Sequence, residues 1–144
     1  MAEVYFRFLA SNNKSIKITA KSAGVFAVQG EPASEMARKT MNAEGLSLNK
    51  FKSSPLNLLS VENATMLVVM TQNQIHQIEQ LFPDYKDKLY LLLGFSGDKA
   101  DLSDPFGGSE IVFRNCLAKM KPALQALLCE LTQGYSVEVS KNGE

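Results

Sequence analysis

The stretch Asp101-Leu102-Ser103-Asp104-Pro105-Phe106-Gly107-Gly108-Ser109-Glu110 gathers the residues best suited to chemistry in this sequence. Asp104 precedes a proline, which restricts it toward extended backbone. Gly107-Gly108 permits a sharp turn, and Ser109 can cap a following helix. A carboxylate on such a loop beside an aromatic ring, Phe106, is what a general acid next to a ring-lined pocket requires. The same residues also read as an ordinary Asp-Pro turn into a helix, and their types alone do not choose. The one histidine, His76, falls off the apolar stripe of a predicted helix and reads as a surface side chain. Without clustered His, Cys or carboxylate ligands, neither a metal nor a cofactor is expected. Cys116 and Cys129 lie on the last predicted helix, about 20 Å apart if it is straight, so they cannot pair and read as small buried hydrophobes. A thiolate phosphatase needs Cys-x5-Arg, whose loop wraps the phosphate with N–H groups while the thiolate attacks and the guanidinium clamps two oxygens. Six residues after Cys116 stands Pro122, and six after Cys129 stands Tyr135. Neither cysteine opens such a loop, and there is no Walker loop or dinucleotide fingerprint.

These residues need elements to position them. The opening is ambiguous: Val4, Phe6 and Phe8 alternate as in a strand, while Ala2, Tyr5, Phe6 and Leu9 share one helical face. Ile16, Ile18 and Ala20 read as a short strand after the break Ser11-Asn12-Asn13. Pro32 suits a first helical turn, Ala33 to Glu44 favours helix, and Gly45 is placed to cap it. Met66 to Met70 is apolar without alternation, as in a parallel strand buried on both faces. Thr71 and Gln74 form a capping box for a helix striped by Ile75, Ile78, Leu81 and Phe82 and ended by Pro83. Lys88 to Phe95 is the next strand, and Gly94 to Ser109 is a long loop. The clearest amphipathic helix carries Phe113, Leu117, Met120, Leu124, Leu127 and Leu131, with Pro122 expected to kink or divide it. Strand and helix alternate, which implies an α/β domain with a parallel sheet and a ligand site at the carboxyl ends of its strands.

Composition bounds the rest. The chain has 144 residues, 45% of them hydrophobic and 21% charged, the balance of a single globular domain. Fifteen Lys and Arg cancel fifteen Asp and Glu, so no long-range field draws it to nucleic acid or to an anionic membrane. The longest apolar runs fall far short of the roughly 20 residues that span a bilayer. The start lacks the pattern of a secretory signal, and with two cysteines the expected compartment is the cytoplasm.

The order of segments resembles the low-molecular-weight protein phosphatases, including their bacterial protein-arginine phosphatase branch. Asp104-Pro105-Phe106-Gly107-Gly108-Ser109 is similar to that family's general-acid loop. Ser22-Ala23-Gly24-Val25, Gly30-Glu31-Pro32-Ala33, Ser53-Ser54-Pro55-Leu56 and Val69-Met70-Thr71 fall in the family's order, and Met1-Ala2-Glu3 resembles the start of the helix that follows its catalytic loop. The resemblance covers residues 1–131 of a single domain and leaves 132–144 as a tail. It implies a three-layer α/β/α fold with a short parallel sheet, whose first, central strand of four is absent from these residues. It implies further that Asp104 protonates the leaving group, that Phe106 lines the substrate pocket and that Ser22 braces the phosphate loop. The nucleophilic cysteine, the clamping arginine and the first strand would lie upstream of residue 1, so the expectation is an incomplete start and a chain inactive as it stands, and unstable alone in the intact family fold. Thr65 and Lys50 stand where the family usually has aspartate and often has histidine. The implied partner is a phosphorylated protein, through phosphotyrosine or phosphoarginine, with no nucleic acid and no membrane; the sequence does not set the oligomeric state. Two other readings follow: a non-catalytic relative that binds phosphate or a protein, an anion being held at the N-terminus of the first helix, and an arsenate reductase, which would need a relay of cysteines at that site.

Overall fold

A computed structural model of the chain describes residues 1–13 and 17–133. The opening is helical: α1 spans Ala2–Ser11 and buries Tyr5 and Phe6. α2 (Glu35–Ala43) is capped by the Ser34 hydroxyl, which accepts from the Ala37 N–H. It closes on Gly45, whose left-handed φ of 73° lets the Gly45 and Leu46 N–H groups reach Asn42 and Met41. α3 (Leu58–Asn63) leads to β1 (Leu67–Val69), and α4 (Gln72–Leu81) follows with the Thr71/Gln74 capping box in place. A 3-10 turn over Pro83–Lys88 precedes β2 (Leu89–Leu91), a second over Leu92–Ser96 follows, and α5 spans Glu110–Gln133.

β1 and β2 pair in parallel, Leu67 with Leu89, Val68 with Tyr90 and Val69 with Leu91. Side chains alternate across a strand, and the packing follows that period. Leu67, Val69, Leu89 and Leu91 join Ile75, Ile78 and Phe82 of the α4 side in one cluster. Met66, Val68, Met70 and Tyr90 face a larger cluster in which Tyr5, Phe6, Met41, Leu117, Met120 and Leu124 bring α1, α2 and α5 together. The result is a small parallel sheet between a helix on one face and three on the other. A two-stranded sheet is marginal alone; the two apolar layers supply what its short ladder lacks.

Several expectations need correction. Residues 17–20 form no strand, and Ile16 lies outside the described residues; instead of a ladder, the Ala20 carbonyl accepts from Arg7 Nε at 2.8 Å. The second strand is three residues long because the chain turns at Leu92 into the 3-10 turn. Leu81 is exposed and leaves the stripe to Ile75, Ile78 and Phe82. Pro122 does not divide α5. A mid-helix proline costs about 3 kcal/mol, but it stands on the outer face between Met120, Ala123, Leu124 and Leu127, all buried. At roughly 1.5–3 kcal/mol for each large side chain, keeping that face in the core outweighs the break. Thr132 and Gln133 of the expected tail still belong to α5, and the rest of the tail lies outside the described residues.

Candidate active site

The loop after the Leu92–Ser96 turn returns to the carboxyl end of β1. The Leu102 N–H donates to the Met70 carbonyl at 2.9 Å, and Asp101 Oδ1 accepts from the Gln72 N–H at 2.8 Å at the start of α4. Leu102 itself is buried. Two residues further on, Asp104 Oδ1 accepts from the Phe106 N–H at 2.9 Å, closing an Asx turn. The Gly108 N–H donates to the Pro105 carbonyl at 2.9 Å. Gly107 takes φ 77° there, a conformation that side-chain-bearing residues rarely adopt. A Cβ on Gly108 would stand 2.9 Å from both the Pro105 oxygen and Val112, so this position also requires glycine. The Ser109 carbonyl then accepts from Val112 and Phe113 and opens α5. Asp104 is exposed, and Phe106, 83% exposed, stands beside it.

α5 presents Val112, Asn115, Cys116 and Lys119 on one face, at helical spacing. With Leu102, Ser103 and Asp104 they line a cavity of about 160 Å³. Cys116 Sγ donates to the Ser103 carbonyl at 3.8 Å. Burial pushes this thiol up first, and the Asp104 carboxylate pushes it the same way, against the opposing pull of the Met1 amine and Lys119. The Met1 amine is itself lowered by burial, against the opposing effect of Glu3 and then Cys116. The start of α1, the Asp104 loop and the start of α5 therefore lie within electrostatic reach of one another.

Ser22 lies on the α1 side. Its N–H and its hydroxyl both donate to Glu3 Oε2, at 2.8 and 2.5 Å, and Glu3 Oε1 pairs with Arg7 at 2.9 Å. The segments noted in the sequence meet nearby: Gly24 bonds to Ser54 and Leu56, and Gly30 and Glu31 to Ser53.

One of the two cysteine expectations changes. Cys129 is exposed, on the outer face of α5, where it accepts from Gln133. Cys116 is buried as expected, and it adjoins the Asp104 loop. The relay that arsenate reduction demands is not assembled, because the second thiol faces away. His76 is exposed and stands 3.6 Å from Glu79. Among the described residues no cluster of three His, Cys, Asp or Glu could hold a metal ion, and no helix is long and apolar enough to cross a membrane. Sequence reading missed Glu3 and Asp101 as structural partners, since their bonds span 19 and 29 residues. It also missed the α5 face, although the spacing 112, 115, 116, 119 directly after the acid loop was a usable signal.

The family model described as low molecular weight phosphotyrosine protein phosphatase matches residues 1–137. A protein-arginine-phosphatase of Geobacillus stearothermophilus is 33% identical over 120 residues, which cover 83% of this chain and 80% of the relative. A protein-arginine-phosphatase of Bacillus subtilis is 30% identical over 132 residues, 91% of this chain and 87% of the relative. Among solved structures, a cysteine-to-serine mutant of the arginine phosphatase YwlE, with a phosphorylated active-site serine, superposes with a TM-score of 0.86 at 28% identity, covering 96% of this chain and 89% of the other.

Proposed function

The chain belongs to the low molecular weight phosphotyrosine protein phosphatase family, and on that premise we propose that it serves protein dephosphorylation in the arginine branch, with Asp104 as the general acid. The observation that carries this reading is an exposed carboxylate on a doubly tethered loop at the carboxyl end of β1, with Phe106 beside it. The two protein-arginine-phosphatases among its relatives favour phosphoarginine over phosphotyrosine as substrate. In this reading a thiolate of the family's Cys-x5-Arg loop attacks phosphorus, the P–N bond breaks, and Asp104 gives its proton to the departing guanidine nitrogen. Asp104, now a carboxylate, takes a proton from the water that hydrolyses the thiophosphate. Phe106 lines the pocket over the substrate side chain, and Ser22, through Glu3, holds the start of α1, where that loop would join.

Neither Cys116 nor Cys129 is followed by arginine at the required spacing. Cys116 is moreover buried with its thiol pushed up, the reverse of an activated nucleophile. These 144 residues therefore carry the acid half of the site and by themselves do not turn over substrate. Two free cysteines that cannot pair suit a reducing compartment, the cytoplasm. The test is an assay of the chain with a phosphoarginine-bearing protein and an aryl phosphate. The expected result is no release of phosphate from either; release abolished by Asp104→Ala would overturn the claim that the thiolate is lacking.

A further inference from the structure

We propose that Asp101 is a positioning residue for the acid loop, its carboxylate tying the segment that carries Asp104 to the first turn of α4. The inference deepens the phosphatase reading and rests on it for its meaning in catalysis, while the tether itself is a matter of geometry. The first N–H groups of a helix have no partner within it. At α4 the Thr71 hydroxyl takes the Gln74 N–H at 3.2 Å, and Gln74 Oε1 takes the Met70 N–H at 2.8 Å. The Gln72 N–H is left to Asp101, at 2.8 Å and 29 residues along the chain. A carboxylate is also the group that the positive end of a helix favours. The next residue, Leu102, bonds to the Met70 carbonyl. Two successive residues therefore clamp the loop to the β1–α4 junction, and Asp104 follows two residues later with its own Asx turn. The same segment covers Cys116 through Ser103, so the buried thiol reports how often the loop lifts.

The bond can be removed from either side. Asp101→Ala deletes the acceptor, and Asp101→Asn keeps an oxygen that can accept. Gln72→Pro deletes the donor at the first helical position, where proline is tolerated, and Thr71 before it is already extended, φ −139° and ψ 154°. In a Cys129→Ser background, the rate at which iodoacetamide alkylates Cys116 is measured beside urea unfolding, so that exposure through global unfolding is subtracted. Asp101→Ala and Gln72→Pro should each raise the rate about fivefold, the equivalent of one hydrogen bond of about 1 kcal/mol. Asp101→Asn should stay within about twofold of the parent, and the double variant Asp101→Ala/Gln72→Pro should be no faster than either single one. An unchanged rate in Asp101→Ala, an equal rise in Asp101→Asn, or multiplied effects in the double variant would overturn the proposal. Because alkylation needs no turnover, this outcome is independent of whether the chain proves to be a phosphatase.

Discussion

The Asp104 loop and residues 17–30 are two polar segments that take their bends in different ways. The acid loop builds its bend from neighbours: Asp104 bonds two residues on to Phe106, and Gly108 bonds three residues back to Pro105. Residues 17–30 take their course from distant elements. Ala20 is bonded to Arg7, Ser22 to Glu3, and Val28 to the Ser53 hydroxyl, across 13, 19 and 25 residues. The bend at Asp104–Gly108 is written into its own residues, while the place of the loop still rests on Asp101 and Leu102 at the β1–α4 junction. A segment hung from other elements is only as ordered as they are.

Glu3 carries the largest share of the long-range bonding. Its side chain is only 11% exposed, it accepts twice from Ser22 and it pairs with Arg7. Glu3→Ala should therefore cost about 1.5–3 kcal/mol, the range for hydrogen bonds to a charged group. Urea unfolding measures it, and a loss below about 0.5 kcal/mol would mean that residues 17–30 hold themselves. At Gly108 the expected cost is smaller, about 1–2 kcal/mol for Gly108→Ala, since the added Cβ meets backbone at 2.9 Å. The amide spectrum of residues 17–30 should be unmoved by that change, and perturbation there would erase the distinction between the two segments. The smallest effect is on pH dependence. Cys116 has its thiol raised by burial and by Asp104, so its contribution to stability is full below the ordinary thiol range and is lost as pH rises through the elevated value. The stability difference between the parent and Cys116→Ala should shrink above about pH 8.5; a difference that grows with pH would mean that the thiol does not sit beneath the acid loop.

The same contrast explains what could be read from the sequence. The capping box at Thr71 and Gln74, the Gly45 closure of α2 and the Asp104–Gly108 turn depend on residues two to five apart, and each forms as its residue types imply. The apolar runs at Met66–Met70 and Lys88–Phe95 located both strands, because a strand covered by helices on both faces must be apolar throughout. What failed depended on partners. Ile16 to Ala20 has the alternation of a strand, but alternation states only which side chains share a face; a ladder also requires a neighbour, and residues 17–20 are bonded to α1 instead. Pro122 does not divide α5, because the core on both sides of it outweighs the local breaking rule. Cys116 is buried on α5 as its spacing implies, but its position along the helix says nothing of the loop that folds back over it.

In the proposed function Asp104 is the proton donor of a phosphatase site whose thiolate half these residues do not carry. It is tested most directly by joining the family's first strand and Cys-x5-Arg loop to Met1 and assaying release of phosphate from a phosphoarginine-bearing protein. The joined protein should turn over, and Asp104→Asn should lower its kcat about 10²–10⁴-fold, with the fold retained because asparagine can still close the Asx turn. A joined protein that folds yet releases no phosphate, or one in which Asp104→Asn leaves kcat unchanged, would contradict it.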